Sequence, residues 1–497
     1  HTEIAEGCEE VMDQLSAQDA QFLYMESDEN HIHVTAVAIF DPSTVPGSKV
    51  VRFKEILAHI ENRLHMSPLF KRRLERVPLE LDFPYWVEDE HFDLEYHIQH
   101  SRLPEPGDWR QFCIHLARFH ARPLDKTRPL WETLVIEGLD RIEGLPEGAY
   151  AIATKLHHAA VDGASILNFY RALMDVDNKG TPVVPLDSIE EKVSRKPGLI
   201  DMAARAAWHT VRSPIGMTDA VMRSAPAIYN LAQQALSSTK EERSSTPVPD
   251  TRFNCNASPH KMFDATTVKL DYLKAIRKGV PGSTINDVVL CICGGALRTY
   301  LDHHKELPAE SLVAWVPINA RSTQLEGTEN PGNRITSMTT RIFTDIADPV
   351  ERLQRIVEST QKSKEARAGV SARLMTDLSQ HVPAATLVTA GRLVMRAGMA
   401  ANICNLFISN VPGPQVPLYM NGAKQITTYG MAPLADGMGL FIGTPSYNGT
   451  ISFSVTSTRE TMPDIDFFIE CIDESIKELH KATAPKKKRR RKTVTKR

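Results

Sequence analysis

The sequence predicts an α/β protein made of two units of comparable size with a helical connector between them. Three observations carry that expectation. Residues 15–177 alternate short β-prone apolar runs with segments whose apolar residues recur at helical spacing. The chain then turns charged and Ser/Thr/Pro-rich at residues 181–197 and 237–251, on either side of a helix-like stretch at 199–236. The alternation resumes from 251 to 482. The boundaries that follow are 11–180, 181–250 and 251–484, with a basic tail at 485–497 expected to be disordered.

In chain order, Ser16 and Asp19 form a helix start ahead of Phe22, Leu23 and Met25. Residues 34–40 (VTAVAIF) read as a strand, and residues 53–64 place Ile56, Leu57, Ile60 and Leu64 at helical spacing. Residues 109–120 are a helix and 131–136 a strand. In the second unit, 284–303 is a helix, 312–317 a strand and 350–367 a charged amphipathic helix. Residues 383–407 form the most apolar stretch, but Arg392 and Arg396 interrupt it, so it reads as an amphipathic helix and not a membrane span. Gly413, between two prolines, is expected to fix a tight turn. Strand-like runs at 440–442 and 450–455 flank Tyr447-Asn448-Gly449, a strong hairpin signal.

The net charge of −3 hides an asymmetry. The last 13 residues carry nine Lys or Arg and no acid, which leaves −12 on the other 484. Seven cysteines form no CxxC pair, and Cys291 and Cys293 point to different faces of their helix; reduced thiols are expected, with neither a disulfide framework nor a zinc site. The opening HTEIAEGCEEVMDQL is acidic and polar and has no secretory pattern. A cytoplasmic protein with at most peripheral contact to membranes or lipid inclusions is the expectation.

The chemistry concentrates in YAIATKLHHAAVDGASILNFYRALM, residues 150–174. A short apolar strand leads to His157 and His158, and a helix-like pattern follows Asp162 and Gly163. Gly163 lets the chain turn where a side chain would crowd the site. Histidine is the usual general base near neutral pH, because its unperturbed pKa is about 6.5. Two other readings compete: histidines satisfied in a core or on a surface, and a metal site. The metal reading is the weaker, since no HExxH occurs. A second pair, His303-His304, precedes Lys-Glu-Leu-Pro at a helix end and reads as exposed and inert. No GxSxG elbow or GxxxxGK[ST] loop occurs, and the glycines of GMGLFIG (437–443) are wrongly spaced for a dinucleotide fold.

HHAAVDG (157–163) matches the HHxxxDG motif, and the chain resembles the acyltransferases related to chloramphenicol acetyltransferase. Pro129-Leu130-Trp131, Asn286-Asp287 in STINDVVL and SNVPGP (409–414) resemble, in order, motifs of the bacterial wax ester synthase/diacylglycerol acyltransferase family. LSAQDAQFLYMES and SYNGTISFSV are similar to the same family, so the resemblance covers residues 15–480. One departure stands out: His31-Ile32-His33-Val34 replaces the family's Pro-Met-His-Val.

The resemblance implies two chloramphenicol-acetyltransferase-like domains joined by a helical linker, with a tunnel between them. It implies acyl-CoA as a substrate, with no metal or cofactor, and diacylglycerol or a long-chain alcohol as acceptor. His158 would be the base and His157 its supporting neighbour. Asp162 would pair with an arginine, here Arg321, to hold the loop. Asn286 would line the site or bond the oxyanion; alternatively, Asn286-Asp287 caps a helix after Ser283-Thr284. Trp131 would be a packing residue that shapes the acyl or alcohol pocket. Other expectations stay open: a polyketide, sugar or glycolipid acceptor, or an inactive lipid-droplet protein. The tail PKKKRRRKTVTKR reads as a contact for anionic lipid surfaces or as a solvated appendage. Lacking interleaved aromatics, it gives nucleic acid the least support.

Overall fold

The computed structural model describes residues 13–160 apart from 49, 79 and 80; 169, 170 and 172–180; 198, 201 and 202; 248–319 apart from 257; 335–367; and 403–484. The linker helix expected at 199–236 lies outside these residues except at 201 and 202.

In the first half, Ser16 caps α1 (Ala17–Tyr24) by accepting the Asp19 N–H at 3.1 Å. β1 (His33–Asp41) follows, then α2 (Phe53–Glu61), which turns Ile56 and Ile60 inward. β2 (Arg72–Glu75) and β3 (Tyr85–Glu88) make a small antiparallel ladder. α3 (Leu94–His97), β4 (Ile98–Arg102), α4 (Trp109–Ala121), β5 (Trp131–Glu137) and β6 (Tyr150–His157) complete the half. Every residue of β6 is buried, as expected of a central strand covered on both faces.

The second half comprises β7 (Lys261–Lys269), α5 (Leu270–Gly279), α6 (Ile285–His303), β8 (Val313–Asn319), β9 (Ile335–Arg341) and α7 (Pro349–Arg367). It continues with β10 (Leu406–Pro412), β11 (Tyr419–Met420), β12 (Ala423–Met431), β13 (Leu440–Tyr447), β14 (Thr450–Thr458) and α8 (Ile465–Thr483). α6 is buried nearly all round, so Cys291 and Cys293 both have no exposure although they face different ways. Gly294 makes this packing possible: a Cβ there would lie 2.3 Å from the carbonyl oxygen of Ile342. At the hairpin turn, Asn448 and Gly449 both take positive φ, the requirement of a type I′ turn.

Two six-stranded sheets result, ordered β11-β12-β1-β6-β5-β4 and β7-β14-β13-β10-β8-β9. The boundary at 180 divides the chain but not the first sheet. β12, from the second half, pairs antiparallel with β1, Thr35 opposite Met431 and Ala36 opposite Gly430. α4 in turn packs against β7, with Trp109 Nε1 donating to Asp264 at 2.7 Å. One hydrophobic cluster therefore draws on both halves, joining Phe112, Leu116 and Ile136 to Phe263, Tyr429 and Met431.

One local expectation is corrected here. The helix expected through residue 407 cannot hold at its end, because Leu406–Pro412 is a strand paired with β8 and β13. Leu406 and Ile408 face the core there while their backbone groups find sheet partners. Gly413 has no left-handed φ; it is needed because a Cβ would lie 2.2 Å from the Ser446 carbonyl oxygen. No helix among the described residues is long and apolar enough to cross a membrane. The six described cysteines are free thiols.

Candidate active site

β6 ends at His157, and residues His158–Ala160 turn immediately into a single 3-10 turn. Two neighbouring backbone segments, just ahead of β5 and β1, grip this corner. The His157 N–H donates to the Leu130 carbonyl at 3.0 Å, and the His158 N–H to the Ile32 carbonyl at 2.9 Å. His157 also lies opposite His33 in the β1–β6 register.

The His157 ring is fully buried. Its Nδ1 accepts the Ala159 N–H at 3.0 Å, and its Nε2 lies 3.0 Å from Glu26 Oε1. The same Glu26 oxygen accepts the Ile32 N–H at 2.8 Å, while Oε2 pairs with the ammonium of Lys126. Burial opposes ionisation of Glu26, but the His157 hydrogen bond and the Lys126 pairing outweigh it and hold the carboxyl at about 2.

His158 has a different environment. Its ring lies over Phe22, with centroids 4.1 Å apart and planes 30° apart. Among the described residues no side chain bonds its Nδ1. Burial pushes its pKa down to about 4, and a bond to its own backbone opposes this. The imidazole is therefore neutral at physiological pH, the form that can accept a proton.

Beneath the corner lies a second polar layer. His120 Nδ1 bonds the Thr35 hydroxyl at 2.8 Å, and its Nε2 donates to the Ala432 carbonyl at 3.3 Å. Burial, followed by the charge of Lys155, lowers His120 to about 3. Buried Lys155 donates to the Phe119 and Arg122 carbonyls at the C-terminal end of α4, where a cation complements the helix dipole. Its counter-charge is Glu132, 3.1 Å away.

The other sequence candidates separate. Pro129-Leu130-Trp131 meets the histidine corner through the Leu130 carbonyl, and the Leu130 side chain packs with Leu23, Tyr24 and Ala159. Trp131 is buried, its Nε1 donating to the Phe70 carbonyl at 2.9 Å and its ring stacked on His97 at 4.6 Å. Asp287 completes the capping box of α6: its Oδ2 accepts from the Thr284 N–H and hydroxyl, and its Oδ1 from the Thr360 hydroxyl. Asn286 sits beside it, half-buried in the first turn of α6. Asp162, Gly163 and Arg321 lie outside the described residues. His304 is not free, since its Nε2 bonds Asp464 at 3.0 Å, which corrects the reading of the second histidine pair as wholly exposed. Among the described residues no three His, Cys, Asp or Glu side chains are grouped to hold a metal.

Sequence spacing did not single out Glu26, Lys126 or Phe22. Glu26 meets His157 across 131 positions of chain, and no local pattern marks that meeting. The one available signal is an acid just beyond the apolar end of the first helix, FLYMES.

The wax ester synthase/diacylglycerol acyltransferase catalytic domain profile matches residues 15–289, and the WS/DGAT C-terminal domain profile matches residues 331–480. The chain belongs to this acyltransferase family. A Mycobacterium tuberculosis protein named putative diacylglycerol O-acyltransferase is 34% identical over 94% of this acyltransferase and 99% of its own length. The solved wax ester synthase/diacylglycerol acyltransferase of Marinobacter aquaeolei VT8 is 26% identical with a TM-score of 0.65, covering 95% of this chain and 99% of its own. The starter condensation domain of rhizomide synthetase, 12% identical with a TM-score of 0.52 over 95% of both chains, shares the fold alone. The two-domain α/β expectation is thereby met.

Proposed function

We propose that this acyltransferase moves an acyl chain from coenzyme A to the hydroxyl of diacylglycerol or of a long-chain alcohol, with His158 as general base. The observation that carries the reading is an imidazole packed against Phe22, its pKa lowered by burial, at a strand-end corner whose backbone is tied at both histidines. His158 removes the acceptor's proton as its oxygen attacks the thioester carbonyl. The resulting imidazolium, made strongly acidic by burial, returns that proton to the departing thiolate. One imidazole serves both transfers, so no covalent enzyme intermediate is required, and neither a metal nor a cofactor takes part. The acceptor class follows the names of the relatives, one a diacylglycerol O-acyltransferase and one a wax ester synthase/diacylglycerol acyltransferase.

In this reading the substrates meet in a tunnel between the halves. Asp162 pairs with Arg321 to hold the loop after the histidines, and Asn286 bonds the developing oxyanion. The basic residues 485–497 hold the enzyme on anionic lipid surfaces, each contributing about 1 kcal/mol near such a surface. Flotation on anionic vesicles should then weaken on truncation to residues 1–484; equal flotation would rule the tail out.

The deciding experiment offers palmitoyl-CoA with hexadecanol or dipalmitoylglycerol and separates the extracted lipids, with His158→Ala in parallel. An ester formed by the wild type and lost in a folded His158→Ala supports both the reaction and the base. Full activity in His158→Ala would remove His158 from the chemistry, and no ester in either lane would remove the lipid acceptors.

A further inference from the structure

Phe22 and Glu26 are four residues apart at the C-terminal end of α1, and each engages one of two adjacent histidines. Phe22 lies against the ring of His158, and Glu26 against the ring of His157. We propose that this segment is a positioning clamp in which Glu26 fixes the tautomer of His157 and so holds His158 for the reaction. The inference rests on His158 being the base.

The proton count on His157 carries the argument. A neutral imidazole has one N–H, and the bond made by one ring nitrogen decides which one bears it. Nδ1 accepts the Ala159 N–H, so it carries no proton. The ring proton therefore sits on Nε2 and is donated to Glu26, a carboxylate that can only accept. If the proton moved to Nδ1, it would face the Ala159 N–H at 3.0 Å, donor against donor, and the turn carrying His158 would have to open.

Glu26 is itself held. Lys126 pairs with one oxygen, and the Ile32 N–H donates to the other. Ile32 closes the circuit, because its carbonyl receives the His158 N–H. Glu26 thus reaches His158 by two routes, through the His157 ring to Ala159 and through the Ile32 peptide. It touches no reacting atom. The geometry is that of a group that orients a histidine one residue away from the reacting one.

The test begins with imidazole ¹⁵N spectra of the full chain, His157 being assigned by its loss in His157→Asn. The expected wild-type spectrum has His157 protonated at Nε2 and not at Nδ1. Glu26→Gln keeps an accepting oxygen and should retain that tautomer with a loss in kcat under about tenfold. Glu26→Ala should mix the tautomers and lower kcat by about 10- to 100-fold, the scale of a small misplacement, with KM for palmitoyl-CoA unchanged. A merely structural role would lower the folded fraction and leave turnover per folded molecule intact. Wild-type His157 protonated at Nδ1, or folded Glu26→Ala with wild-type kcat, would overturn the clamp. The tautomer is read without turnover, so its failure is distinct from activity surviving His158→Ala, which would instead defeat the base assignment.

Discussion

The carbonyl of Leu130 accepts the N–H of His157 at 3.0 Å, which joins two motifs that stand 27 positions apart in sequence. Pro129-Leu130-Trp131 is in this sense part of the histidine corner. Leu130 supplies the backbone acceptor, while its side chain and that of Trp131 anchor the strand that presents it.

Trp131 tests that anchoring. Trp131→Ala removes a buried ring stacked on His97 and should cost about 3–5 kcal/mol. Trp131→Phe leaves the Phe70 carbonyl without its indole partner and should cost about 1–3 kcal/mol. Urea unfolding measures both. A Trp131→Phe protein of wild-type stability whose acyl-length preference shifted would make Trp131 a pocket wall instead of an anchor.

The acid limb of the pH profile should be displaced. Burial holds His158 at about 4, below the ordinary 6.5, so the base form persists until the pH falls to that region. The profile of kcat/KM, taken with a stability control, should lose activity near pH 4. A limb near 6.5 would mean that the imidazole is solvated in the free enzyme.

Stability should respond to pH in a higher window. His120 and His158 have folded values of about 3 and 4, and His33, His59 and His97 are also lowered by burial. Below about 6.5 the unfolded chain binds protons that the folded chain refuses, so stability falls with pH. Each such histidine contributes a slope of about 1.4 kcal/mol per pH unit until its folded value is reached. Glu26 acts lower, its contribution present above 4.5 and lost as the pH falls toward 2. Urea midpoints at pH 7.5 and 5.5 should therefore differ clearly; equal midpoints would contradict neutral burial of these rings.

Neighbouring Asn286 and Asp287 should separate cleanly. Asp287→Ala breaks the capping box and removes the shorter of the Thr360 hydroxyl's two acceptors, leaving it the Val357 carbonyl at 3.2 Å, at a cost of about 1–2 kcal/mol with turnover per folded molecule preserved. Asn286→Ala should leave the melting temperature in place and lower kcat by about 10²–10³ if it bonds the oxyanion. Thermal melts and initial rates on the two variants decide it, and unchanged kcat in Asn286→Ala would remove it from the mechanism.

The sequence makes local periodicity and turn chemistry legible, and little that depends on long-range pairing. β1, α4, β5, α6 and the Asn448-Gly449 hairpin follow from alternation, helical spacing and positive-φ residues. The histidine corner was visible because strand, His-His and Asp-Gly are contiguous. Glu26 was not, since nothing in FLYMES says that its carboxylate ends beside residue 157. Nor does any local feature of β12 announce a partner almost 400 positions earlier: its alternating burial shows a strand with one covered face, not whose edge it joins. The end of the helix expected at 383–407 reads as a strand for the same reason, because a short apolar run looks alike in sequence whether helix or sheet buries it.

The crossing of β12 into the first sheet has a consequence for recombining relatives. A chimera cut at residues 181–250 brings its donor's β11 and β12 with the C-terminal piece, and so seats a foreign edge against β1. That edge is one strand removed from β6 and its histidines. A change of acceptor preference in such a hybrid cannot be credited to either parent half. Cleaner parentage requires junctions that return residues 419–431 to the donor of β1.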